Sequence, residues 1–180
     1  MRVISGKARG TNLFSLEGNH TRPTSDKVKE AMFSIINFYL YDSMVLDLFA
    51  GSGALGIEAL SRGAKKCFFV ENNLSAGAIV KKNIEKTRFS DFSVVKTMDF
   101  KTFLNETNEK FDVILLDPPY NKKMCDKALK IISDRGLLRE DGIIVCETEI
   151  GEKIESDYIL KKEYKYGKTK LSLFFKGDLN

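Results

Sequence analysis

Residues 45–56 have the sequence VLDLFAGSGALG, which is typical of a buried strand, a glycine turn and the start of a helix in succession. Gly51 and Gly53 allow positive φ and let a ligand approach the backbone without meeting a Cβ. The amides at the start of the following helix point at whatever lies above the turn. This stretch therefore predicts an α/β fold with a nucleotide-like cofactor at the carboxyl end of a parallel strand.

The identity of that cofactor has two interpretations. Residues 51–56 satisfy the dinucleotide fingerprint G-x-G-x-x-G, and Glu71 follows at about the spacing of a ribose-binding carboxylate, so an NAD enzyme is one of them. Asp47, however, lies inside the strand, where a dinucleotide has no evident need for a carboxylate but an amino-acid ammonium group would need one. The length of 180 residues also leaves little room for a separate substrate domain. Both features favour a cofactor that carries an amino acid.

A second motif, Asp117-Pro118-Pro119-Tyr120, directly follows the apolar run at residues 113–116. Each proline fixes its φ at about −65° and lacks a backbone donor. The Asp117 carboxylate and the Pro118 carbonyl can together accept both hydrogens of an exocyclic amine, and Tyr120 offers a ring on which a base can stack. A strand that simply ends in a turn is the alternative. A nicotinamide site has no use for this tetrapeptide, so the two motifs together favour alkylation of an amine.

Strand and helix patterns alternate along the chain, which predicts a mostly parallel sheet with helices on both faces. An N-terminal extension is expected to contain a short hairpin around residues 6–10 and a helix that begins at Thr24 or Ser25 and ends near Tyr39. The pattern predicts strands at 44–49, 67–71, 93–97, 112–116 and 142–147, helices at 54–62, 74–88, 99–104 and 126–134, and a closing hairpin at 158–164 and 169–175 with one antiparallel strand. We expect a single domain, with the extension at 1–40 and the cofactor-binding core at 41–180.

Composition and charge agree with a small enzyme that meets an anionic partner. The net charge is +4, and its excess lies at the ends: residues 1–40 hold 6 Lys and Arg against 3 Asp and Glu, and residues 151–180 hold 7 against 5. A basic excess beside a cofactor fold favours contact with phosphate. No apolar run approaches the length of a membrane span and no signal peptide is evident, so we expect a cytoplasmic protein.

The cysteines and the single histidine indicate no metal site. Cys67, Cys125 and Cys146 are widely spaced and lack neighbouring histidines, so neither a disulfide framework nor a zinc site is predicted. We expect them to be small buried hydrophobic residues. His20 lies in a polar stretch and is predicted to occupy a surface loop rather than to act as a base.

Taken together, these segments resemble the class I S-adenosylmethionine-dependent methyltransferases, and among them the RsmD-type guanine-N2 methyltransferases of bacterial 16S rRNA. The resemblance covers nearly the whole chain and lies in residues 1–10 and 21–33, the glycine motif, Asp117 to Tyr120, and residues 166–169. Lys27 and Lys29 stand where the family often has arginine, which keeps the charge but makes bidentate phosphate contacts less favourable.

The resemblance implies a class I (Rossmann-like) fold, S-adenosylmethionine as cofactor, and a monomer that methylates 16S rRNA within the 30S subunit or an assembly intermediate. The implied cofactor-binding residues are Asp47, Ala50, Gly51, Ser52, Gly53, Glu71, Asn72, Asp99 and Phe100. The implied catalytic residues are Asp117, Pro118, Pro119 and Tyr120. Substrate contacts are expected at Arg22, Thr24, Lys27 and Lys29, on and before the first helix.

Two other functions remain open. An adenine-N6 methyltransferase acting on DNA or RNA uses the same kind of Asp-Pro-Pro-Tyr site, although sequence-specific reading of DNA normally needs more recognition surface than 180 residues leave. A catalytically idle RNA-binding or assembly factor with the same fold is the second alternative.

Overall fold

The computed structural model describes residues 1–15, 26–119 and 123–177, and in these ranges seven strands form one sheet in the order β3-β2-β1-β4-β5-β7-β6. All neighbours are parallel except β7, which is antiparallel to both β5 and β6. The strands are β1 Met44–Asp47, β2 Lys66–Glu71, β3 Ser93–Thr97, β4 Phe111–Leu116, β5 Leu138–Glu149, β6 Ile159–Tyr166 and β7 Thr169–Phe175. The predicted mostly parallel, seven-stranded class I sheet is therefore confirmed.

Helices cover both faces of the sheet. They are α1 Asp26–Ile35, α2 Ala54–Ser61, α3 Leu74–Thr87, α4 Phe100–Glu106 and α5 Met124–Asp134. One core cluster joins α1, α2 and α3 to alternate strand residues such as Val45 and Val113, and the other joins α4 and α5 to the intervening residues such as Leu46 and Ile114. This division follows from the alternation of side chains along each strand. Across the part of the chain described, none of the helices has the length and apolar character needed to cross a membrane.

Several element boundaries differ from the predicted ones. The first helix ends at Ile35 instead of near Tyr39, and a separate 3-10 turn at Asn37–Tyr39 leaves Tyr39 37% exposed. β5 begins at Leu138, four residues early, because Leu138 pairs with Phe111 beyond an irregularity in the β4–β5 register, where the extra residues lie in β5. The helix-capping position assigned to Thr24 or Ser25 and the loop position assigned to His20 lie outside the described residues. Cys67, Cys125 and Cys146 are buried and free, as predicted.

Residues 1–15, which we call the N-terminal segment, form the predicted short hairpin and pack on α2. An isolated antiparallel bridge joins Arg2 to Asn12. The amides of Ile4 and Ser5 donate to the Glu58 carboxylate at 2.7 and 3.0 Å. Gly6 has φ +82°, and a Cβ built there would lie 1.8 Å from the carbonyl oxygen of Ser61. The segment therefore depends on a glycine at its closest approach to α2.

The contact between α2 and β2 depends on Gly56. A Cβ at this position would lie 2.3 Å from Cε1 of Phe69 and 2.7 Å from Sγ of Cys67. We expect Gly56→Ala to lower the free energy of unfolding by about 1–3 kcal/mol in urea denaturation, because overpacking outweighs the better helix propensity of alanine. Gly151→Ala is the matched control, since no atom lies within 4 Å of its Cβ position. Equal stability of the two variants would contradict the close packing of α2 on β2.

Candidate active site

Four carboxylates lie near the carboxyl ends of four neighbouring parallel strands. Glu71 ends β2, Asp47 ends β1, Asp117 directly follows β4, and Glu147 lies close to the end of β5. Open α/β sheets bind their ligands at this edge. We call these four side chains the carboxylate row.

The strand registers bring the row onto one face of the sheet. Asp47 is in register with Phe69 of β2 and Leu115 of β4, and Leu115 is in register with Val145 of β5. Phe69, Leu115 and Val145 belong to the core cluster beneath α1, α2 and α3. Asp47 lies at this register, and the other three acidic residues each come two positions after it. Because side chains alternate along a strand, all four lie on the same side of the sheet.

The glycine turn between β1 and α2 has the backbone geometry that its sequence predicts. Gly51 has φ +55° and Gly53 has φ +80°, which only glycine adopts easily. The Gly51 amide donates to Oε2 of Glu71 at 2.8 Å, and Oε1 of Glu71 accepts from the Asn73 amide at 2.9 Å. Glu71 therefore fixes the turn after β1 to the turn after β2. Ala50, whose amide donates to the Val70 carbonyl, belongs to the same connection.

Asp47 is buried at the base of this turn, and only one of its two carboxylate oxygens is hydrogen-bonded within the described residues. Oδ2 accepts from the Gly56 amide at 2.9 Å, whereas Oδ1 is buried and has no hydrogen-bond partner within the described ranges. Burial raises the pKa of Asp47 to about 7, the Gly56 hydrogen bond opposes the rise, and the charges of Asp117 and Glu71 add to it. An ammonium group at Oδ1 would satisfy the orphaned oxygen, so this site fits the amino-acid end of S-adenosylmethionine.

The expected adenine side lies beyond β3. Asp99 is exposed, and its Oδ1 accepts from the Lys101 amide at 2.8 Å, which makes it the N-cap of α4. Phe100 is buried and its ring packs on that of Phe49, with 5.1 Å between the ring centroids. The Met98 amide donates to the Glu71 carbonyl, which links this corner to the ribose side, where Asn72 is exposed. The fold thus brings the residues assigned to cofactor binding to one edge of the sheet.

The Asp-Pro-Pro-Tyr motif follows the strand next to that of Asp47. Asp117 is half-buried and Pro118 is buried, while Pro119 is exposed. The charge of Asp117 is close enough to raise the pKa of Asp47. Tyr120 lies outside the described residues, so its assignment as a stacking partner stays a prediction. The described part of the motif places an acceptor carboxylate beside the expected ammonium site.

The four expected substrate contacts have different positions. Arg22 and Thr24 lie outside the described residues, and Lys27 is exposed on α1. Lys29, by contrast, is fully buried: its Nζ donates to the Arg2 carbonyl and lies 3.7 Å from Oε2 of Glu58. Burial lowers the pKa of Lys29, and the charge of Glu58 counteracts this. The prediction that Lys29 contacts the substrate is therefore wrong, because its side chain is not accessible.

Lys29 is expected to stabilise the folded state. Lys29→Met removes one partner of a buried ion pair, so we expect the free energy of unfolding to fall by about 3 kcal/mol in urea denaturation. Arg62, whose Nε lies 2.8 Å from Oε1 of Glu58, limits the loss. Lys27→Met on the exposed side of the same helix is the control, with a change within about 0.5 kcal/mol. Similar losses for the two variants would contradict the buried position of Lys29.

Sequence analysis missed two residues of this region. Glu147 is 2% exposed in β5, and the pattern that identified Asp47, an acid after a buried apolar run, also occurs at Ile143 to Glu147. Asn83 of α3 is fully buried, and its amide donates to the carbonyl of Ser52 in the glycine turn at 2.8 Å. No local pattern distinguishes Asn83 from an exposed helix residue.

Comparison with known proteins agrees with this architecture. The chain matches the family described as Conserved hypothetical protein 95 over residues 1–175. It is 39% identical to YlbH of Bacillus subtilis over 98% of this chain and 99% of that protein. It is 37% identical to Ribosomal RNA small subunit methyltransferase D of Haemophilus influenzae, over 83% of this chain and 79% of that protein. The solved structure of yhhF from Escherichia coli matches with a TM-score of 0.86 and 28% identity, over 98% of this chain and 97% of that one.

Three observations classify the chain. They are the family match over residues 1–175, the class I sheet order, and the glycine turn above a buried carboxylate. The chain belongs to the Conserved hypothetical protein 95 family, the RsmD-type methyltransferases of the class I superfamily.

Proposed function

We propose that the protein transfers a methyl group from S-adenosylmethionine to the exocyclic N2 amine of a guanine in small-subunit (16S) ribosomal RNA. The observation that carries the proposal is that Asp117 comes two residues after Leu115, the register partner of Asp47, so it lies at the same sheet edge as the unsatisfied Oδ1 of Asp47. Relatives named Ribosomal RNA small subunit methyltransferase D, at 37% identity in Haemophilus influenzae and 31% in Escherichia coli, support the choice of RNA.

Binding of the cofactor falls to the residues around the glycine turn. S-adenosylmethionine supplies a methyl group on a sulfonium sulfur, so the protein has to orient it and needs no strong base. Asp47 holds the ammonium group, and Glu71 accepts hydrogen bonds from the ribose hydroxyls, with Asn72 as a second ribose contact. Asp99 and Phe100 lie at the adenine. The backbone of Ala50, Gly51, Ser52 and Gly53 forms the wall against which the cofactor rests.

The acceptor amine is held by the Asp-Pro-Pro-Tyr motif. A guanine N2 amine is a poor nucleophile, because its lone pair is delocalised into the ring. Asp117 and the Pro118 carbonyl each accept one of its hydrogens, which draws the nitrogen towards tetrahedral geometry and stabilises the positive charge that grows during attack. When bound, the sulfonium group would supply an electrophilic methyl carbon and a neutral thioether leaving group, and Asp117 and the Pro118 carbonyl would hold the amine until it loses one proton. Pro119 fixes the turn, and Tyr120 stacks on the extruded base.

Recognition of the RNA is assigned to the N-terminal side of the molecule. Lys27 is exposed on α1, and Arg22 and Thr24 precede that helix in the chain. Because the net charge is only +4, we propose that the substrate is an RNA surface already shaped by ribosomal proteins, in the 30S subunit or an assembly intermediate. A cytoplasmic monomer with a single methyltransferase domain is sufficient for this reaction.

The decisive experiment follows a tritiated methyl group. The full chain is incubated with methyl-labelled S-adenosylmethionine and either small ribosomal subunits or protein-free rRNA, and the RNA is digested to nucleosides. We expect N2-methylguanine, formed faster on particles than on free rRNA. N6-methyladenine would favour the adenine-N6 alternative, and binding of subunits without transfer would favour an idle assembly factor. Equally efficient turnover on protein-free rRNA would contradict the particle substrate.

A further inference from the structure

The side chain of Asn83 joins three parts of the chain in the interior. Its Oδ1 accepts from the Phe14 amide at 2.8 Å, and its Nδ2 donates to the Phe14 carbonyl at 2.9 Å and to the Ser52 carbonyl at 2.8 Å. Asn83 is fully buried, while Phe14 is 48% exposed and Ser52 is half-buried, so these bonds connect the interior to the surface of the protein. Breaking these hydrogen bonds destabilises the folded state, because the donors and acceptors that remain lose their partners.

The two ends of this connection lie in regions with different proposed tasks. Ser52 belongs to the glycine turn that holds the cofactor. Phe14 is near the end of the N-terminal segment, which leads directly into residues 16–25, where Arg22 and Thr24 occur. Lys86, one turn along α3 from Asn83, lies 4.3 Å from the centre of the Phe14 ring and holds it against the same helix.

The N-terminal segment also meets the glycine turn directly. The Ser52 hydroxyl lies 3.9 Å from the Met1 sulfur. The other anchors of the segment lie on α1 and α2. Lys29 of α1 donates to the Arg2 carbonyl, Glu58 of α2 accepts from Ile4 and Ser5, and the Ser61 hydroxyl accepts from the Ala8 amide. These anchors hold the segment in place without bonding to the turn.

We propose that Asn83 is a positioning residue that couples the glycine turn to the N-terminal segment, so that binding of the cofactor stabilises residues 1–15 and favours binding of the RNA substrate. This inference rests on the proposed function. The coupling is reciprocal, because two ligands that stabilise the same hydrogen-bonded arrangement must favour each other equally. Asn83 acts through Ser52 and Phe14 and touches neither the cofactor nor the reacting amine.

The first test is hydrogen exchange of the intact wild-type protein with and without S-adenosylhomocysteine. We expect this ligand to slow exchange about tenfold or more at Gly53 and also at the hydrogen-bonded amides of Val3, Gly10 and Leu13. Slower exchange in the turn with no change in residues 1–15 would overturn the inference. Failure of S-adenosylhomocysteine to bind would instead contradict the proposed function, so the two failures are distinguishable.

The second test compares Asn83→Asp with Thr87→Val. Aspartate can still accept from the Phe14 amide but cannot donate to Ser52 or Phe14. We expect Asn83→Asp to keep the ligand's effect on the turn, to lose its effect on residues 1–15, and to raise KM for small subunits about tenfold with kcat changed less than about twofold. Thr87 lies one turn along α3, and its hydroxyl donates only to carbonyls of that helix, at Asn83 and Ile84.

Thr87→Val therefore controls for damage to α3 and is expected to behave as the wild type. Two results would refute the inference. One is that S-adenosylhomocysteine slows exchange in residues 1–15 of Asn83→Asp as much as in the wild type, and the other is that kcat of this variant changes more than its KM. Should Asn83→Asp fail to fold, Asn83→Ser is measured in the same way, and the wild-type exchange experiment still decides.

Discussion

Asp117→Ala is expected to lower kcat for methyl transfer by at least about 100-fold, while the affinity for S-adenosylhomocysteine stays within about threefold. The carboxylate accepts a hydrogen of the amine and stabilises the charge that develops only during attack, so its loss affects the transition state more than binding. Methyl incorporation under single-turnover conditions and calorimetric titration of the ligand measure the two quantities.

Two further variants test whether the loss of rate comes from the charge of the Asp117 carboxylate. Asp117→Asn keeps one acceptor oxygen but loses the negative charge, so its rate is expected to lie between those of wild type and Asp117→Ala. Asp134→Ala removes an exposed aspartate paired with Lys130 at the far end of α5 and is expected to leave kcat unchanged. Wild-type turnover by Asp117→Ala would remove the basis of the proposed reaction.

Asp47→Asn is expected to weaken S-adenosylhomocysteine binding by about 100-fold, because the ammonium group loses a buried charged partner. In the wild type, the same affinity should fall as the pH drops below about 7, since Asp47 with a pKa of about 7 must first lose its proton to pair with the ammonium group. The variant has no such proton to lose, so this contribution to the pH dependence should vanish. A wild-type affinity that stays constant between pH 6 and pH 8 would contradict the pairing of Asp47 with the ammonium group.

The same substitution is expected to stabilise the cofactor-free protein. The pKa of Asp47 is raised from 3.8 to about 7 in the folded state, so its contribution to stability is fully present below pH about 4 and is lost as the pH rises through about 7. At pH 8 the wild type must bury a charge that asparagine does not carry. We therefore expect Asp47→Asn to raise the free energy of unfolding by on the order of 1–3 kcal/mol at pH 8. The gain should be smaller at pH 6, and a gain independent of pH would contradict the raised pKa.

Local patterns were sufficient to predict the glycine turn and the sheet edge at which the carboxylates lie. The segment from Val45 to Gly56 combines strand, turn and helix signals within twelve neighbouring residues, so no distant contact is needed to interpret it. Glu71 follows from the same logic, because the carboxyl ends of neighbouring parallel strands must meet. Asp117 lies at the same edge for the same reason.

The buried polar residues could not be predicted in this way. Lys29 is in a helix whose other lysine, Lys27, is exposed, and contacts with Glu58 of α2 and with the Arg2 carbonyl make its burial possible. Asn83 likewise depends on Phe14 and Ser52, which lie 69 and 31 residues away in sequence. Periodicity predicts that polar residues face solvent, and it contains no information about partners so distant.

The carboxylate row affects which part of a nucleotide can approach the methyl donor. Every phosphodiester of an RNA strand carries a negative charge, and repulsion between like charges makes it costly for the strand to lie across four carboxylates. An uncharged purine whose Watson–Crick edge presents N–H groups meets no such repulsion and finds acceptors there. On the proposed function, we therefore expect this edge to favour the uncharged base and to repel the sugar–phosphate chain.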